Sequence, residues 1–185
     1  MVRCHHTSQE RAGFSFGRIG RFRPVEVGGR IVPTLYAADS EDGALAERVF
    51  RDLPPSGFPG RHLARSDLSG LCLSRLTPRE DLRLGELLGQ GPAALGAFPG
   101  QLTRAPTRFY GVTGQWAKAI RWGTPGCQGL VWMSRQHDAA RALMLWFDRV
   151  GGNVLQAVGP PEPIDSGDGL QRVEAFARRA GIVLV

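Results

Sequence analysis

Lysine is almost missing from this chain. Of 23 basic side chains in 185 residues only Lys118 is not an arginine, and 17 acids leave a formal net charge of +6. Arginine grips phosphate through a planar fork, which an ammonium cannot do. The bias therefore favours a phosphate-bearing or acidic partner: nucleic acid, nucleotide or protein. The 25 glycines and 13 prolines also fit a G+C-rich coding sequence, in which arginine codons are frequent. Cysteine is scarce too. Cys4, Cys72 and Cys127 are widely spaced, with no C-x-x-C pair, which argues against a disulfide framework and for reduced thiols in a cytoplasm. Long apolar runs are absent. The longest, Ala142 to Phe147, falls far short of the roughly 18 residues of a spanning helix, and Met1 to Gly13 contains no secretory h-region. The expectation is a soluble cytoplasmic protein with no membrane partner.

What is present is ordinary globular composition, 42% hydrophobic and 22% charged, in a length that suits one domain, residues 1–185. Glycine and proline divide the chain into strand-like and helix-like pieces without a repeat. Arg30 to Ala38 is β-rich. Asp39-Ser40-Glu41-Asp42 then supplies the caps and acids of a helix start, with Leu45 and Val49 on its buried face, Glu47 on another side, and a stop before Pro54-Pro55. Leu68 to Leu76 alternates like a strand, whereas Glu80 to Gly100 has no legible period. Thr113 is placed to cap a helix carrying Trp116 and Ile120. Gly129 to Ser134 and Ala142 to Phe147 have buried-strand length. Asp168 with Gln171 caps a helix using Leu170, Val173, Ala177 and Ala180, and Ile182 to Val185 closes as a strand. Strands and helices that do not strictly alternate predict an α+β fold.

Several chemical signatures fail on context. Cys4-His5-His6 has no second ligand pair and reads as a loose or structural end, not a metal site. Phe16-Gly17-Arg18-Ile19-Gly20-Arg21 resembles a dinucleotide fingerprint, but polar residues precede it, and Pro24 and Gly28-Gly29 follow where a helix is required. His137-Asp138 lies too close to Ser134 to assemble a hydrolase triad on separate elements, and His62 follows a Gly/Pro loop and reads as surface. Trp116, Trp132 and Trp146 read as core. The arginines are neither clustered nor interleaved with aromatics, which disfavours direct nucleic-acid binding.

A collinear set of segments carries more. Gly20-Arg21-Phe22-Arg23-Pro24, Pro33 to Ala38, Ala44 to Phe50, Tyr110 to Thr113 with Trp116-Ala117, Gly129 to Gln136 and Leu145 to Val150 occur in the order and spacing of the RES-domain family of bacterial toxins. That family is named for an arginine, a glutamate and a serine. The resemblance implies a single compact domain with an ADP-ribosyltransferase-like α+β fold of mixed sheets and short flanking helices. It implies cleavage of NAD by hydrolysis or phosphorolysis, or transfer of ADP-ribose to a protein, with NAD as substrate and no cofactor. It further implies an Xre-like antitoxin partner that occludes the pocket. Arg21, Glu47 and Ser134 match the name-giving triad, Tyr36 matches a nicotinamide-pocket tyrosine, and Thr113 falls where some relatives carry a pocket serine. Arg3 matches an upstream pocket arginine, with Cys4 in place of the usual aromatic neighbour. Homo-oligomerisation is left open.

The chemistry fits these residue types. Breaking a nicotinamide–ribose bond passes through an oxocarbenium-like transition state, which a carboxylate such as Glu47 stabilises. Arg21 suits a pyrophosphate, and the Ser134 hydroxyl suits orientation of ribose or amide. Eleven residues separate Tyr36 from Glu47, so one strand-to-helix unit can present an aromatic ring and an acid to the same cleft.

Overall fold

The computed structural model describes residues 1–17, 20–54, 57–98 and 100–185. Among these residues eleven strands form: β1 (Val2–His6), β2 (Glu26–Val27), β3 (Arg30–Ile31), β4 (Thr34–Ala38), β5 (His62–Leu63), β6 (Leu71–Pro78), β7 (Leu84–Glu86), β8 (Gly129–Met133), β9 (Arg141–Trp146), β10 (Leu155–Pro163) and β11 (Val183–Leu184). The α-helices are α1 (Glu41–Arg48), α2 (Gly91–Ala94), α3 (Tyr110–Gly123), α4 (Phe147–Val150) and α5 (Gly167–Arg179). Seven strands make one mixed sheet in the order β10-β6-β1-β4-β9-β8-β7, antiparallel except for the parallel pair β7 and β8. This is the α+β architecture expected from the sequence, a large mixed sheet with short helices.

The sheet is not uniformly zipped. β4 pairs with β9 over five residue pairs, and β1 pairs with β6 over five. Between β1 and β4 the register holds the single pair Val2 and Ala38. Period-2 alternation sends Leu35 and Ala37 of β4 into a cluster with Val131, Leu143 and Leu145. On the other face two clusters form. Ala38, Leu71 and Leu73 pack with Leu45, Phe50, Val173 and Phe176 of the α1 and α5 region, while Trp132, Met144 and Trp146 pack with Ala117 and Ile120 of α3 and with Phe22. Tyr36 packs against the edge of the second cluster. The loosely paired seam and the gap between clusters therefore meet beside β4.

α1 is set by its N-terminus. Ser40 caps it by accepting from the Gly43 amide at 3.1 Å, Glu41 and Asp42 face the positive end of the helix dipole, and Arg48 the negative end. Gly43 costs helix propensity of about 1 kcal/mol, but a Cβ there would lie 2.8 Å from Ala140 Cβ and 2.9 Å from Ala38 Cβ. Its absence lets α1 lie tight on the sheet.

Several local expectations are corrected. α3 begins at Tyr110, so Thr113 is inside the helix and caps nothing. α5 takes Ser166, not Asp168, as its N-cap residue. The strand of Leu68 to Leu76 starts at Leu71, because Arg65–Leu68 is a 3-10 turn, and the illegible Glu80 to Gly100 stretch holds β7 and α2. Trp132 and Trp146 are core residues as expected, whereas Trp116 is half-buried. The glycine-rich segment enters a turn and the β2–β3 hairpin instead of a helix. Its Arg18 and Ile19, like Pro55 after α1, lie outside the described residues. No helix among the described residues is long and apolar enough to cross a membrane.

Candidate active site

A cavity of about 330 Å³ lies where β1 and β4 part. Arg3 and Cys4 line it from β1, Gly20, Arg21 and Arg23 from the turn before β2, and Tyr36 from β4. Ala44, Glu47, Arg48 and Arg51 line it from α1 and its C-terminal end, and Trp132 from β8. Arg3, Arg21, Tyr36 and Glu47, scattered in sequence, are thus brought together. Ser134 and Thr113 are not among the lining residues. Both are buried, and they act on neighbours of the cavity.

Among the described residues Glu47 is the one carboxylate on the wall. Its Oε2 lies 3.5 Å from Arg21 Nη1, with Arg21 2% and Glu47 13% exposed. Its Oε1 accepts from the Arg135 amide at 3.3 Å. Arg21 Nε and Nη2 are buried and have no hydrogen-bond partner among the described residues, so most of its fork remains unused there. Gly20 keeps that turn close: a Cβ there would sit 3.1 Å from Arg23 Cδ and 3.3 Å from the Tyr36 hydroxyl. Thr113 Oγ1 donates to the Arg21 carbonyl. Ser134 donates its amide to Ala140 at 2.9 Å, and its Oγ is buried and unpartnered among the described residues, one residue before the amide that holds Glu47.

The Tyr36 hydroxyl accepts from the Phe22 amide at 3.4 Å, and its ring meets Trp132 edge-on at 6.1 Å. Burial pushes its ionisation up to about 12, against the pull of Arg23, Arg21 and Arg51, so the phenol is neutral. Arg23 lies over the Tyr36 ring at 4.7 Å and donates to Thr34. Burial lowers the Arg23 pKa, partly offset by Tyr36. Arg3, its pKa lowered to about 10 by burial, donates through Nη1 to the carbonyls of Glu10, Arg11 and Gly13, bracing the loop after β1. Burial lifts the Cys4 thiol to about 12. His5 bonds Ser74 at 2.9 Å, and among the described residues no His, Cys, Asp and Glu group has the arrangement of a metal site.

Sequence reasoning assigned no role to Arg23, Arg48 or Arg51. A signal for the last two was present: Ala44, Glu47, Arg48 and Arg51 are spaced i, i+3, i+4, i+7, one helical face. Five guanidiniums, Arg3, Arg21, Arg23, Arg48 and Arg51, thus surround one carboxylate on the cavity wall. Arg51 also pairs with Asp52 at 3.2 Å. Chemically, the cavity is an anion receptor with an aromatic wall and a single acid.

In comparison with known proteins, a family model described as RES domain matches residues 1–165. No curated protein matches the chain.

Proposed function

The chain belongs to the RES-domain family, and from that premise we propose that it is an NAD-consuming enzyme acting in the cavity between β1 and β4. The observation that carries the reading is the pairing of Glu47 with Arg21, on a wall to which five arginines, Tyr36 and Trp132 also contribute. The pyrophosphate is taken by the unused fork of Arg21 with Arg23, Arg48 and Arg51, and the nicotinamide packs against Tyr36 and Trp132. As the glycosidic bond breaks, positive charge develops on the ribose and the Glu47 carboxylate stabilises it. The bond's electron pair leaves with nicotinamide, and an acceptor nucleophile adds to the anomeric carbon. Ser134 and Thr113 serve as supports: Thr113 fixes the backbone of Arg21, and Ser134 leads into the Arg135 amide.

Within the family this activity belongs to the toxin half of a toxin–antitoxin pair, and we assign the chain that role with an Xre-like antitoxin as partner. Purified protein is incubated with NAD, with and without inorganic phosphate, and nicotinamide release is followed. Release is expected. A folded, antitoxin-free sample that leaves NAD intact sinks the proposal. Label in the ADP-ribose half separates water, phosphate and protein side chains as acceptors.

A further inference from the structure

The 20 residues after the family match include all of α5 and β11, and a chain of hydrogen bonds runs from them to the segment that holds Glu47. Arg61 is buried, between sequence-distant parts of the chain. Its Nη1 donates to the Ala180 carbonyl at the end of α5, and its Nη2 donates to Gln136 Oε1 at 3.2 Å. Gln136 Nε2 then donates to the Leu53 carbonyl at 2.8 Å, just beyond α1. The neighbouring Arg135 amide donates to Glu47 Oε1. Gln136 thus ties the backbone that holds the carboxylate to the turn that follows the helix carrying it, and Arg61, itself bonded to the C-terminal segment, fixes Gln136. Packing runs alongside: Phe50 stacks on Phe176 at 4.8 Å and 9°, and His137 meets Phe176 edge-on at 5.8 Å.

A glutamate held by one long ion pair alone swings about its side-chain torsions. A second, backbone donor fixes the carboxylate, provided the backbone itself is fixed. We infer that Gln136, anchored by Arg61, is a positioning residue for Glu47, and that the C-terminal segment belongs to the catalytic machinery. The kinetic part of this inference rests on the NAD-cleaving reading; the structural part does not.

The test is Gln136→Met, which keeps the side-chain length and removes both hydrogen bonds, with Arg61→Lys as the second variant should Gln136→Met fail to fold. Misplacing a reacting group by an ångström costs up to about a hundredfold in rate. The variant is therefore expected to lose roughly tenfold or more in kcat, with KM changed by no more than about twofold. Leu155→Ala, buried in the cluster on the opposite face of the sheet, should lower the melting temperature and keep kcat. The Arg135 backbone amide resonance supplies a readout independent of turnover: it should move in Gln136→Met in the direction it moves in Glu47→Ala. Wild-type kcat together with an unmoved Arg135 resonance in a folded variant overturns the positioning role. Absence of nicotinamide release from the wild type removes the activity reading instead, and the resonance still decides the hydrogen-bond relay.

Discussion

Thr113 donates its buried hydroxyl to the backbone carbonyl of Arg21, 92 residues away in sequence. The bond ties α3 to the turn that carries the arginine of the site, and the Tyr110 carbonyl lies 3.2 Å from the same oxygen. Thr113 acts through Arg21 without lining the cavity. Thr113→Val keeps the shape and leaves the Arg21 carbonyl unpaired, a loss of about 1–3 kcal/mol by chemical or thermal denaturation. Thr113→Ser should restore most of it. Equal stabilities of the Val and Ser variants would show that the bond contributes nothing.

The reach of the sequence differs from residue to residue. The unit from Tyr36 to Glu47 was legible because its signals are local: a short β-rich run, a Ser cap with acids behind it, and a stop at proline. That Arg21 and Glu47 share a site was suggested only by the resemblance, and their ion pair was not foreseen, since nothing within 26 positions of spacing says that a turn will fold onto a helix. Thr113 was misread as a helix cap for the same reason. A threonine three residues into a helix looks like a cap when its partner lies 92 residues upstream. The seam between β1 and β4 was invisible altogether, because strand pairing is set by long-range register and not by alternation within either strand.

Glu47→Gln should reduce nicotinamide release by about a hundredfold to a thousandfold in kcat, the scale on which one electrostatic contact to a developing charge acts. Affinity for NAD should change far less, because the demand for negative charge exists only in the transition state. Arg21→Ala, by contrast, should weaken binding and turnover together. A Glu47→Gln enzyme with wild-type kcat would remove the carboxylate from the mechanism.

The arginine surplus around Glu47 predicts that an anion alone stabilises the fold. Inorganic pyrophosphate at about a hundred times its dissociation constant should add roughly 2.7 kcal/mol, through mass action on the native state, and high salt should diminish the gain by screening. Arg48→Ala and Arg51→Ala, which alter the helical face lining the cavity, should each shrink the thermal shift. Thermal shifts that are equal in wild type and both variants would place the anion elsewhere.

Tyr36 gives the fold an alkaline limit. In the unfolded chain its phenol ionises near its ordinary value of 10.0, and in the folded protein burial holds it to about 12. Between those values the unfolded chain has released the proton and the native protein has not, so rising pH draws the equilibrium toward unfolding. The stability Tyr36 contributes through this difference is fully present below pH 10 and is lost progressively up to pH 12. At 1.36 kcal/mol per unit, two units correspond to about 2.7 kcal/mol. Tyr36→Phe has no proton to lose, so its stability should gain on the wild type by up to that amount across the window. Near neutral pH the variant should differ only by the hydrogen bond from the Phe22 amide. Denaturant titrations of both proteins from pH 8 to 12 measure the gap, and parallel curves would mean that the phenol ionises alike in the folded and unfolded chain.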